Sequence, residues 1–379
     1  MKKLIQIFIA LQCVVFFTAN VFAYNFTVDG IYYNVNSDNT TVSVTYKTTN
    51  YNSYSGDIVI PSEVTYNETT YSVTKIGNEA FRYCRNLTSI VIPNSITSIG
   101  NGAFYDCRIM TSILIPNSVT YLGDRVFGHC SVLDSVVIPN SVTYIGVDLF
   151  YSCEGLTSIV LPNSISSLRT EMFRQCTGLS SITIPNNITE IEGHVFEGCS
   201  NLSSVTLSDN LIAMGEWAFW GCSRLSSITI PSNVASIGNY AFSSCSSLRT
   251  VVCKGVEPAS ITNVTFYGLN YNNMTLIVPC EKQSVYHQAI GWSAFTNIEE
   301  DCVGLNDIEQ ENSIIFYPNP VKDNVSLNAE GNVVIYNNLG QIVKHVNNVN
   351  AKTTISVADL KKGVYYLKVG NKQQKLVKE

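Results

Sequence analysis

From residue 76 to residue 253 the apolar positions repeat with one period. Phe81, Phe104, Phe127, Phe150, Phe173, Phe196, Phe219 and Phe242 stand 23 residues apart. Each is followed three residues later by a cysteine: Cys84, Cys107, Cys130, Cys153, Cys176, Cys199, Cys222 and Cys245. Within the unit Leu87–Cys107, Ile90 and Ile92 alternate with Ser89 and Val91, the two-residue period of a strand with one face inward. Pro93 ends that strand, because proline cannot donate to a central ladder. Ile96 and Ile99 mark a second short extended stretch, and Gly100 is expected in a left-handed or tight turn. The spacing of Ala103, Phe104 and Cys107 predicts one helical or 3₁₀ turn with its apolar side inward. A single unit cannot bury these side chains; stacked units bury them in a continuous core. Arg169 and Glu192 stand where the other units have the glycine, so the backbone there is not strictly glycine-dependent.

The outward strand positions form two stripes. One is Ser89, Ser112, Ser135, Ser158, Ser181, Ser204, Ser227 and Thr250; the other is Val91, Leu114, Val137, Val160, Thr183, Thr206, Thr229 and Val252. Eight units at roughly 4.8 Å give a face about 40 Å long. Its centre, Ser135, Val137, Ser158, Val160, Ser181, Thr183, Ser204 and Thr206, is the candidate docking face for a protein or glycan. The other reading is that Ser and Thr simply suit a solvated ladder. Tyr105, Tyr151 and Trp220, between phenylalanine and cysteine, are a second candidate because such aromatics serve as interface anchors.

The repeated pattern IxIPxxVTxIGxxAFxxCxxLxS resembles the BspA-type leucine-rich repeat of bacterial surfaces. The resemblance implies a right-handed solenoid with a strand on the concave face of each turn, and adhesion to host or microbial proteins, glycans or cells. The expected fold is therefore mainly β with short helical turns. It comprises a leucine-rich-repeat solenoid of 23-residue repeats (76–253) followed by a small C-terminal β-sandwich. Residues 24–75 read as an N-terminal β cap with a first irregular repeat, in which Asp57–Pro61 is an early strand and Tyr66–Ser72 an insertion. Residues 254–302 read as a closing cap and 303–313 as a polar linker.

After the linker come seven short alternating runs separated by turn residues: Ile314–Tyr317, Val325–Asn328, Val333–Tyr336, Ile342–Val346, Thr353–Val357, Val364–Val369 and Gln374–Val377. Their spacing predicts a sandwich. Tyr317-Pro318-Asn319-Pro320, the block ending in Gly340, the block containing Gly363 and Tyr365, and a Lys-rich end resemble the type A sorting domain of the type IX secretion system. That resemblance implies handling of residues 314–379 by the type IX machinery and delivery to the outer surface of a Gram-negative bacterium, or release. Residues 1–23, with Lys2, Lys3, an apolar run and Val21-Phe22-Ala23, read as a signal peptide. The run is too short to span a bilayer, so the mature chain is expected to start near Tyr24 without a transmembrane segment.

Composition narrows the function. The chain of 379 residues has net charge −6. Residues 314–379 carry nine lysines and four acidic residues, a net of +5, leaving −11 on the rest. No basic stripe suggests a nucleic-acid partner. Only four histidines occur, and no GxSxG, HExxH or P-loop motif, so neither catalysis nor a cofactor or metal is expected. His129 and His194 are expected at the solvated surface. The repeat cysteines read as buried thiols or, alternatively, ladder pairs, and Cys280–Cys302 is the best candidate bridge. The function reached is a secreted or surface-held binding or adhesion protein; the alternative is a structural surface or matrix component without a specific ligand.

Overall fold

The structure is a computed structural model describing residues 23–49, 51–302, 315–317, 320–328, 330–337, 341–350, 352–369 and 372–379. Most of the expected signal peptide and the whole expected linker lie outside these residues. The chain divides into two compact units at Asp301/Cys302.

The first unit is a β-solenoid of about ten turns. Each 23-residue coil contributes two short strands to two parallel ladders. In the first ladder Ser112–Leu114, Ser135–Val137 and Ser158–Val160 pair in register, Ser on Ser and Leu114 on Val137 on Val160. The second ladder runs through Ser98–Ile99, Tyr121–Leu122 and Tyr144–Ile145. Alternation decides what is inside: Ile113, Val136 and Ile182 are buried, while the residues on either side of each are exposed.

The third side of each coil departs from the sequence expectation. Around each phenylalanine the chain forms successive hydrogen-bonded turns and no helix. Residues two before and two after it adopt left-handed φ, among them Glu79, Tyr83, Asp106, Arg125, His129, Asp148 and Ser152, at 54–62°. Alternate N–H groups close turns within the coil, as Arg82 to Glu79 and Cys84 to Phe81 do. The others reach the next coil: Glu79 to Asn101, Phe81 to Ala103 and Tyr83 to Tyr105, at 2.7–2.8 Å. A helical turn would consume every N–H internally and leave the coils unlinked. Left-handed non-glycine residues cost roughly 1–2 kcal/mol each, which the intercoil hydrogen bonds offset. True short helices occur in the cap, at Tyr271–Asn273, Gln283–Gln288 and Trp292–Ala294.

The eight phenylalanines stack with ring centroids 5.1–5.8 Å apart and planes within 18°. Tyr54 extends the column before Phe81, and Phe266 extends it after Phe242. Each cysteine from Cys107 to Cys245 donates its thiol to the carbonyl of the phenylalanine 26 residues earlier, at 3.0–3.3 Å. The eight repeat cysteines are free and buried, whereas Cys280 and Cys302 are disulfide-bonded. Burial pushes the Cys199 and Cys245 thiols up to about 12.

Of the two conformations expected for the repeat glycine, the tight turn is present, since Ala80 and Ala103 donate to the Gly77 and Gly100 carbonyls, and the left-handed one is not. Gly77, Gly100, Gly123 and Gly146 do not take positive φ. Their role is close approach: a Cβ on Gly123 would lie 2.6 Å from the Asn101 nitrogen, and one on Gly146 2.4 Å from the Asp124 nitrogen. Gly100, Gly123 and Gly146 donate to Ile76, Ile99 and Leu122 in the preceding coil, as do Glu192, Gly215 and Gly238 to Leu168, Ile191 and Met214. No equivalent bond leaves Arg169, and the second ladder divides there, between Tyr144–Ile145 and Ser167–Leu168. The first ladder divides three times, after Leu87–Val91, after Ser158–Val160 and after Ser204–Thr206. The exchange is compensated sideways: the Arg169 guanidinium pairs with Glu192 at 3.3 Å, and Thr170 donates twice to the same carboxylate.

Before the repeats, Phe26–Val28, Ile31–Val35 and Thr41–Thr45 form an antiparallel sheet that continues the second ladder through Thr69–Ile76. Gly56–Val59 pairs with Leu87–Val91 in the first ladder. The insertion is a hairpin, Glu63–Tyr66 with Thr69–Ile76, turning at Asn67 and Glu68, both at positive φ as a type I′ turn needs. At the other end Trp292 and Phe295 meet Phe266 edge-on. The Trp292 indole donates to the Ala259 carbonyl and the Tyr286 hydroxyl to that of Gly255, each at 2.8 Å, so these large rings are buried without orphaned polar atoms.

The second unit has all seven expected strands: Ile315–Tyr317, Asn324–Asn328, Gly331–Asn337, Ile342–Val349, Thr354–Ser356, Gly363–Val369 and Lys372–Lys378. They form a three-stranded and a four-stranded antiparallel sheet around a separate core that includes Val325, Val333, Ile335, Leu367 and Leu376.

Candidate functional site

Ser135, Val137, Ser158, Val160, Ser181, Thr183, Ser204 and Thr206 are all exposed on the strand face of the solenoid. The structure does not join them in one sheet. Ser135, Val137, Ser158 and Val160 belong to one three-stranded sheet, while Ser181, Thr183, Ser204 and Thr206 form a separate pair of strands. The two halves also differ chemically. On the N-terminal half, Val59, Val91, Leu114, Val137 and Val160 are 56–78% exposed. On the C-terminal half the same column is Thr183, Thr206 and Thr229. Asp57 marks the N-terminal end of the face; hydrogen bonds from the Ser89 and Thr88 hydroxyls hold its carboxyl below the usual range.

The second candidate runs along the turn edge. Tyr83, Tyr105, His129 and Tyr151 meet edge to face at 5.9, 5.1 and 4.9 Å. The Arg82 guanidinium lies over Tyr51, Tyr83 and Tyr105, and that of Arg174 over Tyr151. Further along, Trp217 stacks between His194 and Tyr240, and Trp220 tilts against it at 5.8 Å. His129 and His194 are therefore packed, half-buried residues instead of solvated ones. His129 sits between two tyrosines; His194 contacts Trp217 and, through Nδ1, the buried Glu197 carboxylate. Because these rings press against one another, few of their faces are open to a ligand.

Buried carboxylates punctuate this edge, each with an arginine: Asp106 with Arg85 and Arg108, Asp148 with Arg125, Glu197 with Arg174. Burial raises the Asp148 carboxyl against the opposing pull of Arg125. A further ladder is formed by side chains along this edge. Asn78, Asn101 and Asp124 each accept, through side-chain oxygen, the N–H of the residue 23 positions on, at 2.9–3.0 Å. It stops at Val147, which has no side-chain acceptor, one coil from the break at Arg169. Asn and Asp after the glycine were the available signal.

These coils, with phenylalanine and cysteine inward and prolines closing the strands, match the family described as the BspA type leucine-rich repeat region, in six copies over residues 60–180 and 171–300. The chain belongs to the BspA-type leucine-rich repeat family. Residues 315–379 of this BspA-type protein match the secretion system C-terminal sorting domain. Among solved structures it is similar to a leucine-rich repeat protein from Bacteroides ovatus, at 28% identity and TM-score 0.52, covering 73% of this chain and 76% of that one. It is also similar to a leucine-rich repeat protein of T. pallidum, at 25% identity and TM-score 0.46, covering 59% of this chain and 90% of that one. No curated protein matches it. No enzyme family is among these matches.

Of the sorting-domain residues, Tyr317 ends the first strand of the sandwich. Pro318, Asn319 and Gly340 lie outside the described residues. Pro320 precedes Val321, whose backbone exchanges hydrogen bonds with Val377 and Glu379 at the C-terminal strand. Gly363 opens its strand, and Tyr365 fills the sandwich core while its hydroxyl donates to the Lys361 carbonyl at 2.9 Å. Among the described residues no helix is long and apolar enough to cross a membrane. The sorting domain marks the chain for export to the cell surface or beyond.

Proposed function

We propose that this BspA-type protein is a non-enzymatic binding scaffold, delivered by the type IX route to the outer surface of a Gram-negative cell, where it adheres to a host or microbial protein or glycan. The partner docks on the strand face, centred on Leu114, Val137 and Val160 with the Ser135 and Ser158 hydroxyls beside them. The observation that carries this reading is the column of large apolar side chains left more than half exposed from Val59 to Val160. Isolated apolar residues on a surface need no explanation, but a contiguous exposed stripe marks an interaction surface. The polar column from Thr183 to Thr229 supplies hydroxyls rather than apolar area, so the two stretches suit different parts of one extended partner.

The test is binding of the purified full chain to an array of extracellular-matrix proteins and glycans. Val137→Asp with Val160→Asp is expected to lower binding at least tenfold, while Thr354→Asp in the sandwich leaves it unchanged. Equal binding by the strand-face variant rejects this face. No binding to any member of the array favours a structural surface component.

A further inference from the structure

The four-stranded sheet of the sorting domain has two faces, and only one is used by the core. Val333, Ile335, Leu367 and Leu376 point inward. The antiparallel register places Ile342, Tyr336, Tyr366 and Lys375 directly across the four strands, in a single row on the other face. A second row holds His345, Val334 and Lys368, and a third pairs Val364 with Val377. Ile342, Val364 and Tyr366 are 62%, 38% and 37% exposed. Among the described residues of the second unit, the large apolar ones that are exposed, Val343 at the strand bulge included, all lie on these strands.

We infer that this outer face is the surface by which the export machinery reads the sorting domain, and that its partner is a protein surface, apolar at the centre and acidic at the rim. The inference rests on the assignment of residues 315–379 as the export signal. A sheet whose own side chains were meant only for water would alternate apolar inward with polar outward; here Ile342, Tyr336, Tyr366 and Val364 break that alternation. Charge sets the sign of the partner. The four strands contain no Asp or Glu, the face carries His345, Lys368 and Lys375, and residues 315–379 have a net charge of +5 against −11 for the rest of the chain. Complementary charge steers encounter and sets register, and burial of the apolar centre supplies affinity. An anionic lipid surface is the weaker fit: juxtamembrane lipid binding uses clusters of about 4–8 Lys or Arg, and this face offers two lysines around a larger apolar area.

The experiment expresses the full chain in a host with a type IX system and measures the fraction reaching the surface or medium. Tyr366→Glu with Ile342→Glu is expected to lower that fraction at least tenfold, with thermal unfolding of the purified chain unchanged. Lys368→Glu with Lys375→Glu is expected to lower it severalfold and serves if the first pair impairs folding. Thr354→Glu, on the three-stranded sheet, should export normally, and deletion of residues 315–379 should leave the chain in the periplasm. Normal export of both face variants beside a retained deletion overturns the inference alone. Export of the deletion overturns the sorting assignment and the inference with it. Co-sedimentation of the purified chain with vesicles of anionic phospholipid, abolished by Lys368→Glu with Lys375→Glu, overturns the protein partner in favour of a lipid surface.

Discussion

The recurring glycine shows how one residue type can serve two different needs. At Gly123 the backbone conformation is ordinary and the constraint is distance, because the neighbouring coil leaves no room for a Cβ. At Gly221 the space is open, with nothing nearer than 3.7 Å, and the constraint is φ at +72°. Gly221→Ala is expected to cost about 1–2 kcal/mol, the price of a left-handed alanine. Gly123→Ala is expected to cost more, because backbone atoms of Asn101 must move and the intercoil hydrogen bonds with them. Denaturant midpoints of the two variants compare the costs; equal midpoints would contradict the assignment. From sequence, the two glycines cannot be told apart, since neither steric contact with another coil nor φ is written in a single chain segment. The packing of His129 and His194 is hidden from the sequence for the same reason: their ring neighbours Tyr105, Tyr151 and Trp217 lie a full coil away.

At the level of the coil, the strands were legible and the turns were not. Alternation at Ile90 and Ile92 fixes which side of a strand is buried, and Pro93 fixes where it stops. The segment Ala103–Cys107 carries helical spacing, yet stacking demands outward N–H groups and overrides it. Arg169 shows the converse: the sequence marks the departure, and the structure converts it into the break in the second ladder. The phenylalanine column is the main store of packing energy in each coil. Phe150→Ala is expected to cost about 3–5 kcal/mol. Because each coil contacts only its neighbours, the loss should be local. Hydrogen exchange should accelerate in residues 127–173 and remain unchanged in residues 320–379, which have their own core. Uniform acceleration across both units would contradict this.

For the whole molecule, the period of 23 residues and the two family resemblances foretold a solenoid followed by a sandwich. What they could not foretell is the inequality of the strand face, apolar from Val59 to Val160 and hydroxylated from Thr183 to Thr229, or the apolar outer face of the sorting sheet. Both depend on register, which decides how single side chains add up to a patch. The account rests on coils that hide phenylalanine and cysteine by lying against one another. Alkylation of thiols in the exported native protein, followed by mass spectrometry, tests that most directly. Cys84 through Cys245 of the repeat should remain unlabelled until the chain is unfolded and then label without reductant, while Cys280 and Cys302 should label only after reduction. Labelling of the repeat cysteines in the native state, or their recovery as disulfides, would contradict the stacked core.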